Sequence, residues 1–460
     1  MLNRRKFLKY ISTAPILSLT PGISLGSDKT ITYKILAKEG KRQLGPQKSN
    51  LSSLWLYNGI TPGPIIRAKK GQELIVEFTN NLTQPTTIHW HGIRNLNKMD
   101  GVPGLTQPAV EPGETFIYRF PTRDAGTFWY HAHNKAWEQV ARGLYGPLII
   151  EELDSSKNAR DRLIVADDWR LTPDYQIEEN TLGSLRDWSH QGRIGNWLTI
   201  NGKRKPEISL PVGFVRLRLI NTANARTLAF EFGNTNKFEV IALDGASCTP
   251  FILESIKLGP AQRADILLNY SGDEYFLYEV ATGKRHEAAK LVPSRVTPEP
   301  IKLAKEIIPW YPTPSAGSAK IINIHMQGGA MGNLSSAYYL GEKIPLRELA
   351  QKHSKLWALN NKIGGYNEIL AALSLGDVAI LRVWNDTRWK HSMHLHGHHF
   401  WVNSKEFSGP DRKVLRDTYL MLPNEKADFL FVADNPGQWL FHCHMLEHHA
   451  SGMGGVIKII

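Results

Sequence analysis

Hydrophobic and polar positions alternate along several short runs of this chain. In Glu73-Leu74-Ile75-Val76-Glu77-Phe78-Thr79-Asn80, Leu74, Val76 and Phe78 share one face. Val215-Arg216-Leu217-Arg218-Leu219-Ile220-Asn221 and Val378-Ala379-Ile380-Leu381-Arg382-Val383-Trp384-Asn385 repeat the pattern. Successive strand side chains point to opposite faces, so each run predicts a half-buried strand. Each ends at Asn, a turn residue.

The runs belong to a longer phrase. Trp55-Leu56-Tyr57-Asn58-Gly59 and Gly71 precede the first run, and Trp197-Leu198-Thr199-Ile200-Asn201-Gly202 and Gly213 the second. Trp357-Ala358-Leu359-Asn360-Asn361 and Gly376 precede the third. A second echo follows: Pro112-Gly113-Glu114, Pro260-Ala261-Gln262 and Pro423-Asn424-Glu425 open later strands, two of which end in Gly-rich segments at Gly143–Ile150 and Gly452–Ile457. Shared turn vocabulary is the plainer explanation, but three echoes in the same order argue against it. The chain is therefore expected to be all-β, in three consecutive units of sandwich size spanning 27–155, 156–300 and 301–460. The breaks fall at a charged stretch, 152–160, and a Pro-rich one, 293–315.

Composition agrees with this picture. At 460 residues, with 42% apolar and 21% charged positions, the chain reads as globular and multidomain. Residues 1–26 stand apart. Arg4-Arg5 precedes a short, weakly apolar segment and Ser24-Leu25-Gly26 offers small residues for cleavage. The segment is too short and polar to span a bilayer. It resembles a twin-arginine signal peptide, which implies the twin-arginine export machinery as a partner and a periplasmic location. No later segment is apolar enough for a membrane helix. The net charge is +12, and residues 1–26 hold four cations and no acid, leaving +8 on the rest. No basic run interleaved with aromatics points to nucleic acid.

Histidine placement carries the chemistry. Of 17 histidines, most lie in four clusters: His89-Trp90-His91, His131-Ala132-His133, His391-Ser392-Met393-His394-Leu395-His396-Gly397-His398, and His442-Cys443-His444-Met445-Leu446-Glu447-His448. On a strand, His-x-His presents both imidazoles on one face. One such pair is weak evidence, since solvated or core histidines explain it. Four pairs point to metal. Cys443 sits between His442 and His444, on the opposite face, so a thiolate-bound metal and an imidazole-bound metal would be joined by the backbone. His448 and Met453 follow Cys443 closely. A thiolate, two imidazoles and a weak thioether make a blue copper site, with His391 as the remaining imidazole. Zinc prefers closed sites of four ligands, and eight further histidines exceed what one zinc needs. The other cysteine, Cys248, has no histidine neighbours and reads as a buried small residue.

The four clusters match, in order and spacing, the copper motifs of the multicopper oxidases, and the chain is identified as resembling that family over its mature length. The resemblance implies three cupredoxin-like Greek-key β-barrel domains and four copper ions. It places type 1 copper, in the third domain, on His391, Cys443 and His448 with Met453 axial. Type 2 copper falls to His89 and His394. The type 3 pair shares His91, His131, His133, His396, His442 and His444. It implies electrons drawn singly from a small reducing substrate and delivered to O2, four for each O2 converted to water. Protons would come from two carboxylates, Asp100 and Glu447. The plainer readings are that Asp100 shapes the turn before Gly101 and that Glu447 is a surface carboxylate. His398 is expected to support the ligands, while His190, His286, His325, His353, His399 and His449 match no ligand position.

Several reductants fit these motifs. Phenols and aromatic amines define a laccase-like oxidase; Cu(I) defines a cuprous oxidase serving copper tolerance, with manganese and iron as further options. Eight methionines make a poor soft-metal surface. The nearest approach is His325-Met326-Gln327-Gly328-Gly329-Ala330-Met331. A scaffold without catalysis would have lost ligands, and a copper nitrite reductase lacks the full histidine set; none is missing here.

Overall fold

Each sequence echo folds into the same set of strands. In the first unit Thr30–Arg42 runs parallel to Glu73–Asn81 and antiparallel to Ser52–Tyr57. In the second, Asp161–Trp169 pairs parallel with Gly213–Asn221 and antiparallel with Trp197–Ile200. In the third, Lys320–Gly328 does so with Val378–Asn385 and Trp357–Leu359. The alternating strands then pair antiparallel with Thr115–Pro121, Arg263–Tyr270 and Lys426–Val432, the strands that follow the Pro-led turns. These relations come from a computed structural model that describes residues 29–152, 160–233, 237–295, 310–404 and 414–460. The expected signal peptide, residues 1–26, and most of both expected domain breaks lie outside the described residues.

A second sheet packs across the first in every unit. Strand orders are non-consecutive in the six larger sheets, the mark of Greek-key crossovers. The chain is all-β, three cupredoxin-like domains in a row. Leu74, Val76 and Phe78 are buried while Glu73, Ile75 and Glu77 are not, as the alternation requires. Separate apolar cores fill the domains, around Trp90 and Tyr118 in the first, Leu217 and Phe230 in the second and Trp357 and Trp439 in the third. Truncating one of these tryptophans would cost about 3–5 kcal/mol. A further cluster containing Trp129, Tyr145, Trp169, Ile220 and Leu446 draws on all three domains. Among the described residues no helix is long and apolar enough to cross a membrane.

Candidate metal centre

The first two histidine clusters lie on neighbouring strands, Ile88–His91 and Gly126–Ala132, which pair so that His89 sits opposite His131. In the third domain, His391–Leu395 pairs with Gly437–Cys443, placing His394 opposite His442 and Met393 opposite Cys443. The two strand pairs face each other across the contact between first and third domains. Their imidazoles meet there: the rings of His91 and His394 stack 3.8 Å apart, and those of His89 and His396 lie 3.9 Å apart.

Three sets of imidazole nitrogens converge, each within 4.8 Å: His89 with His91 and His394, His91 with His131 and His444, and His133 with His396 and His442. A fourth convergence joins His391, Cys443 and His448 on the other face of the strand. All these side chains are at most 3% exposed. Met453 is buried too, and its carbonyl accepts from the Cys443 amide at 3.0 Å. The strand alternation thus separates the two groups of donors as the sequence predicted.

Hydrogen bonds show which nitrogen each ring turns inward. His89 Nδ1 donates to the Asp100 carbonyl at 2.7 Å, His394 Nδ1 to the Asp417 carbonyl at 2.8 Å, and His396 Nδ1 to Asp100 Oδ2 at 2.8 Å. His131 and His442 donate from Nδ1 to the Ala132 and Cys443 carbonyls. Each of these rings keeps its Nε2 lone pair. His91 is turned over: its Nε2 meets Asp417 Oδ1 at 3.1 Å and Thr418 Oγ1 at 3.0 Å, leaving Nδ1 inward. Nε2 of His89 and His394, Nδ1 of His91 and both nitrogens of His133 are buried with no hydrogen-bond partner.

Two contacts test whether cations fit. His396 Nε2 and His442 Nε2 lie 3.0 Å apart with both ring protons committed at Nδ1. His391 Nδ1 and His448 Nδ1 lie 3.0 Å apart, while their Nε2 atoms donate to Thr387 Oγ1 at 2.9 Å and the His190 carbonyl at 2.7 Å. Lone pair facing lone pair in a dry interior is unfavourable unless a cation sits nearby. Burial, with the crowd of neighbouring imidazoles, pushes His91, His131, His133, His396, His442 and His444 well below the usual histidine range. Burial takes His394 and His448 to about 3. The rings are therefore neutral ligands at physiological pH. Cys443, with His391 Nδ1 at 3.5 Å and the Met445 amide at 3.4 Å from its sulfur, completes a donor set suited to copper.

The two carboxylates differ. Asp100 is fully buried and also forms a donor set with His89 and His396. Gly101 makes this possible. Its φ is +85°, and a Cβ there would lie 1.9 Å from the Ile88 carbonyl. The turn thus presses Asp100 against the first histidine strand. Glu447 is buried, not on the surface, and its carboxylate accepts from Asn224 Nδ2 at 2.9 Å. Burial raises its pKa.

Sequence reasoning missed three features. Asp417 and Thr418 hold His91 and His394, and the fully buried Arg263 of the second domain grips Asp417 through two bonds of 2.8 and 2.6 Å. His449 turns its ring to within 4.3 Å of His442 and 5.8 Å of His133, and with His133, Lys355 and Tyr366 it lines a pocket of about 250 Å³. The segment Trp188–His190 covers His448. By contrast Met326 is fully buried in the third core while Met331 is 69% exposed, so they do not form one surface site.

Three cupredoxin-like domains with one thiolate–imidazole site beside an eight-histidine site define a copper-binding redox protein. The comparisons with known proteins carry this further. Multicopper oxidase family models match residues 40–155, 160–291 and 342–459. A multicopper oxidase of Staphylococcus epidermidis is 30% identical over 93% of this chain and 88% of its own length. Laccase-1 of Botryotinia fuckeliana is 29% identical over 86% of this chain and 77% of its own. The crystal structure of a multi-copper oxidase from Pseudomonas thermotolerans is 32% identical, covers 94% of this chain and 99% of that one, and superposes with a TM-score of 0.80. A Campylobacter jejuni multicopper oxidase described as a metallo-oxidase is 26% identical, with a TM-score of 0.79 and coverage of 95% and 93%. The chain belongs to the multicopper oxidase family, whose members are oxidoreductases using four coppers and O2.

Proposed function

We propose that this protein is a laccase-like oxidase. It takes electrons one at a time from phenols or aromatic amines and passes them to O2, four for each O2 reduced to water. One observation carries the reading: Cys443 of the thiolate site lies in sequence between His442 and His444 of the histidine site, so two peptide units join the centres. His391, Cys443 and His448, with Met453 axial, would hold type 1 copper. His89 and His394 would hold type 2. His91 with His131 and His444, and His133 with His396 and His442, would hold the type 3 pair. Bound copper supplies the one-electron steps at the first site and the binding and reduction of O2 at the second.

The remaining chemistry belongs to side chains of this chain. Asp100 fixes the rings of His89 and His396 and holds a proton acceptor, Oδ2, at hydrogen-bond distance from the latter. Glu447, kept protonated more easily by its burial, is a proton reserve on the same short helix that bears His448. The buried imidazoles exclude bulk water from the space between them, which strengthens every interaction there.

Cu(I) oxidation for copper tolerance is the second reading, favoured by the exposed thioether of Met331. Oxygen uptake by copper-loaded protein separates the two. A higher specificity constant for a methoxyphenol than for stabilised Cu(I) supports the laccase-like reading. A higher constant for Cu(I) replaces it.

A further inference from the structure

The thiolate site is closed to solvent: His391, Cys443, His448 and Met453 are each fully buried. His448 turns Nδ1 toward Cys443, and its Nε2 donates to the main-chain oxygen of His190 at 2.7 Å. A reductant therefore cannot touch the outer edge of this imidazole. The covering segment is fastened at several points. Trp357 Nε1 donates to the Trp188 carbonyl at 2.6 Å, the Ala330 amide to the Ser189 carbonyl at 2.7 Å, and Trp389 Nε1 to the Ala330 carbonyl at 3.0 Å. Trp357 also packs its ring 4.4 Å from that of His448.

The half-buried ring of His190 lies on this cover, 5.1 Å from the half-buried indole of Trp389 and inclined 57° to it. His190 Nδ1 is engaged by Ser189 Oγ at 2.8 Å and by the Arg186 carbonyl at 3.1 Å, so the ring is held on the cover from its Nδ1 side. The acid on the same short helix, Asp187, is engaged by Arg170 at 2.6 and 2.9 Å and is not available to a metal ion. Met331, next to Ala330, adds a single thioether, short of a Cu(I) site.

We propose that His190 and Trp389 form the docking platform for a planar, electron-rich aromatic reductant. The hydrogen bond from His448 to the His190 carbonyl is then the electron entry. This rests on the oxidase reading above and names the residues that position its reductant. A docked phenol gives up one electron and its hydroxyl proton. The electron passes through the His190 peptide and His448 to the centre they cover, the proton goes to bulk water, and a phenoxyl radical leaves. His190 and Trp389 thus position substrate, while the His190 main chain conducts.

The test compares copper-loaded parent with Trp389→Leu, His190→Leu and the conservative Trp389→Phe. The reductants are a methoxyphenol and ferrocyanide, which has no aromatic face. The ratio of kcat/KM for the phenol to that for ferrocyanide should fall about tenfold in both Leu variants, the scale of one lost ring contact, and recover in the Phe variant. The blue absorption band should persist throughout. Titration with the phenol's inert methyl ether should quench tryptophan fluorescence saturably in the parent and not in Trp389→Leu. An unchanged ratio, or parallel losses for both reductants, overturns the platform. No oxygen uptake by the parent with either reductant overturns the oxidase reading and the platform with it.

Discussion

Cys443 shows how one residue's surroundings set its chemistry. Burial pushes its thiol up to about 12, while burial takes His448 down to about 3. In the copper-free protein at neutral pH the sulfur therefore carries its proton and the imidazoles do not. Copper uptake at this site should release one proton from the ligands. Its affinity should rise about tenfold per pH unit across the neutral range, since the proton competes with the metal. Copper titration at several pH values, with proton release measured alongside, checks this; a pH-independent affinity contradicts it. Glu447 gives a second residue-level prediction. Glu447→Gln keeps the hydrogen-bonding shape and removes the proton, so the blue band should remain while O2 reduction slows by about tenfold or more. Unchanged turnover would remove Glu447 from proton supply.

At the scale of elements, strand alternation explains why so much of the site was legible. His89 and His91, and His442 and His444, meet a common space because residues two apart share a face. The reading weakened where the period changed. The chain leaves the strand after Cys443 and enters the short helix Leu446–Ala450. There Glu447 turns to Asn224 of the second domain, His448 to Cys443, and His449 to His442 and His133. A period of two cannot foresee that fan. Arg263 and Asp417 were illegible for another reason: 154 residues separate them, and each sits in an ordinary strand-like run. Their contact makes the second domain, which contributes no convergent donor among the described residues, a support for His91 and His394. Arg263→Met should leave Asp417 buried without its cation and cost about 3–5 kcal/mol of stability. It should also perturb the type 2 electron paramagnetic resonance signal while the blue band stays. Asp417→Asn should give the same spectroscopic change with a smaller loss in thermal unfolding. Variants with native spectra at both centres would show that the pair is only structural.

Across the whole molecule, three echoes of one phrase became three copies of one strand arrangement, because Trp-led strands, Asn turns and alternating runs encode local pairing directly. How the copies face each other was not encoded locally. The histidine site exists only where the first and third domains meet, and the cover on His448 comes from the second. Both depend on contacts among residues far apart in the chain. The three domains therefore form one redox unit. The most direct test is the stoichiometry of turnover: reductant molecules oxidised per O2 consumed by the copper-loaded protein. Four one-electron oxidations per O2, with no hydrogen peroxide formed, are predicted. Two per O2 with peroxide accumulating, or no O2 consumption at all, would contradict it.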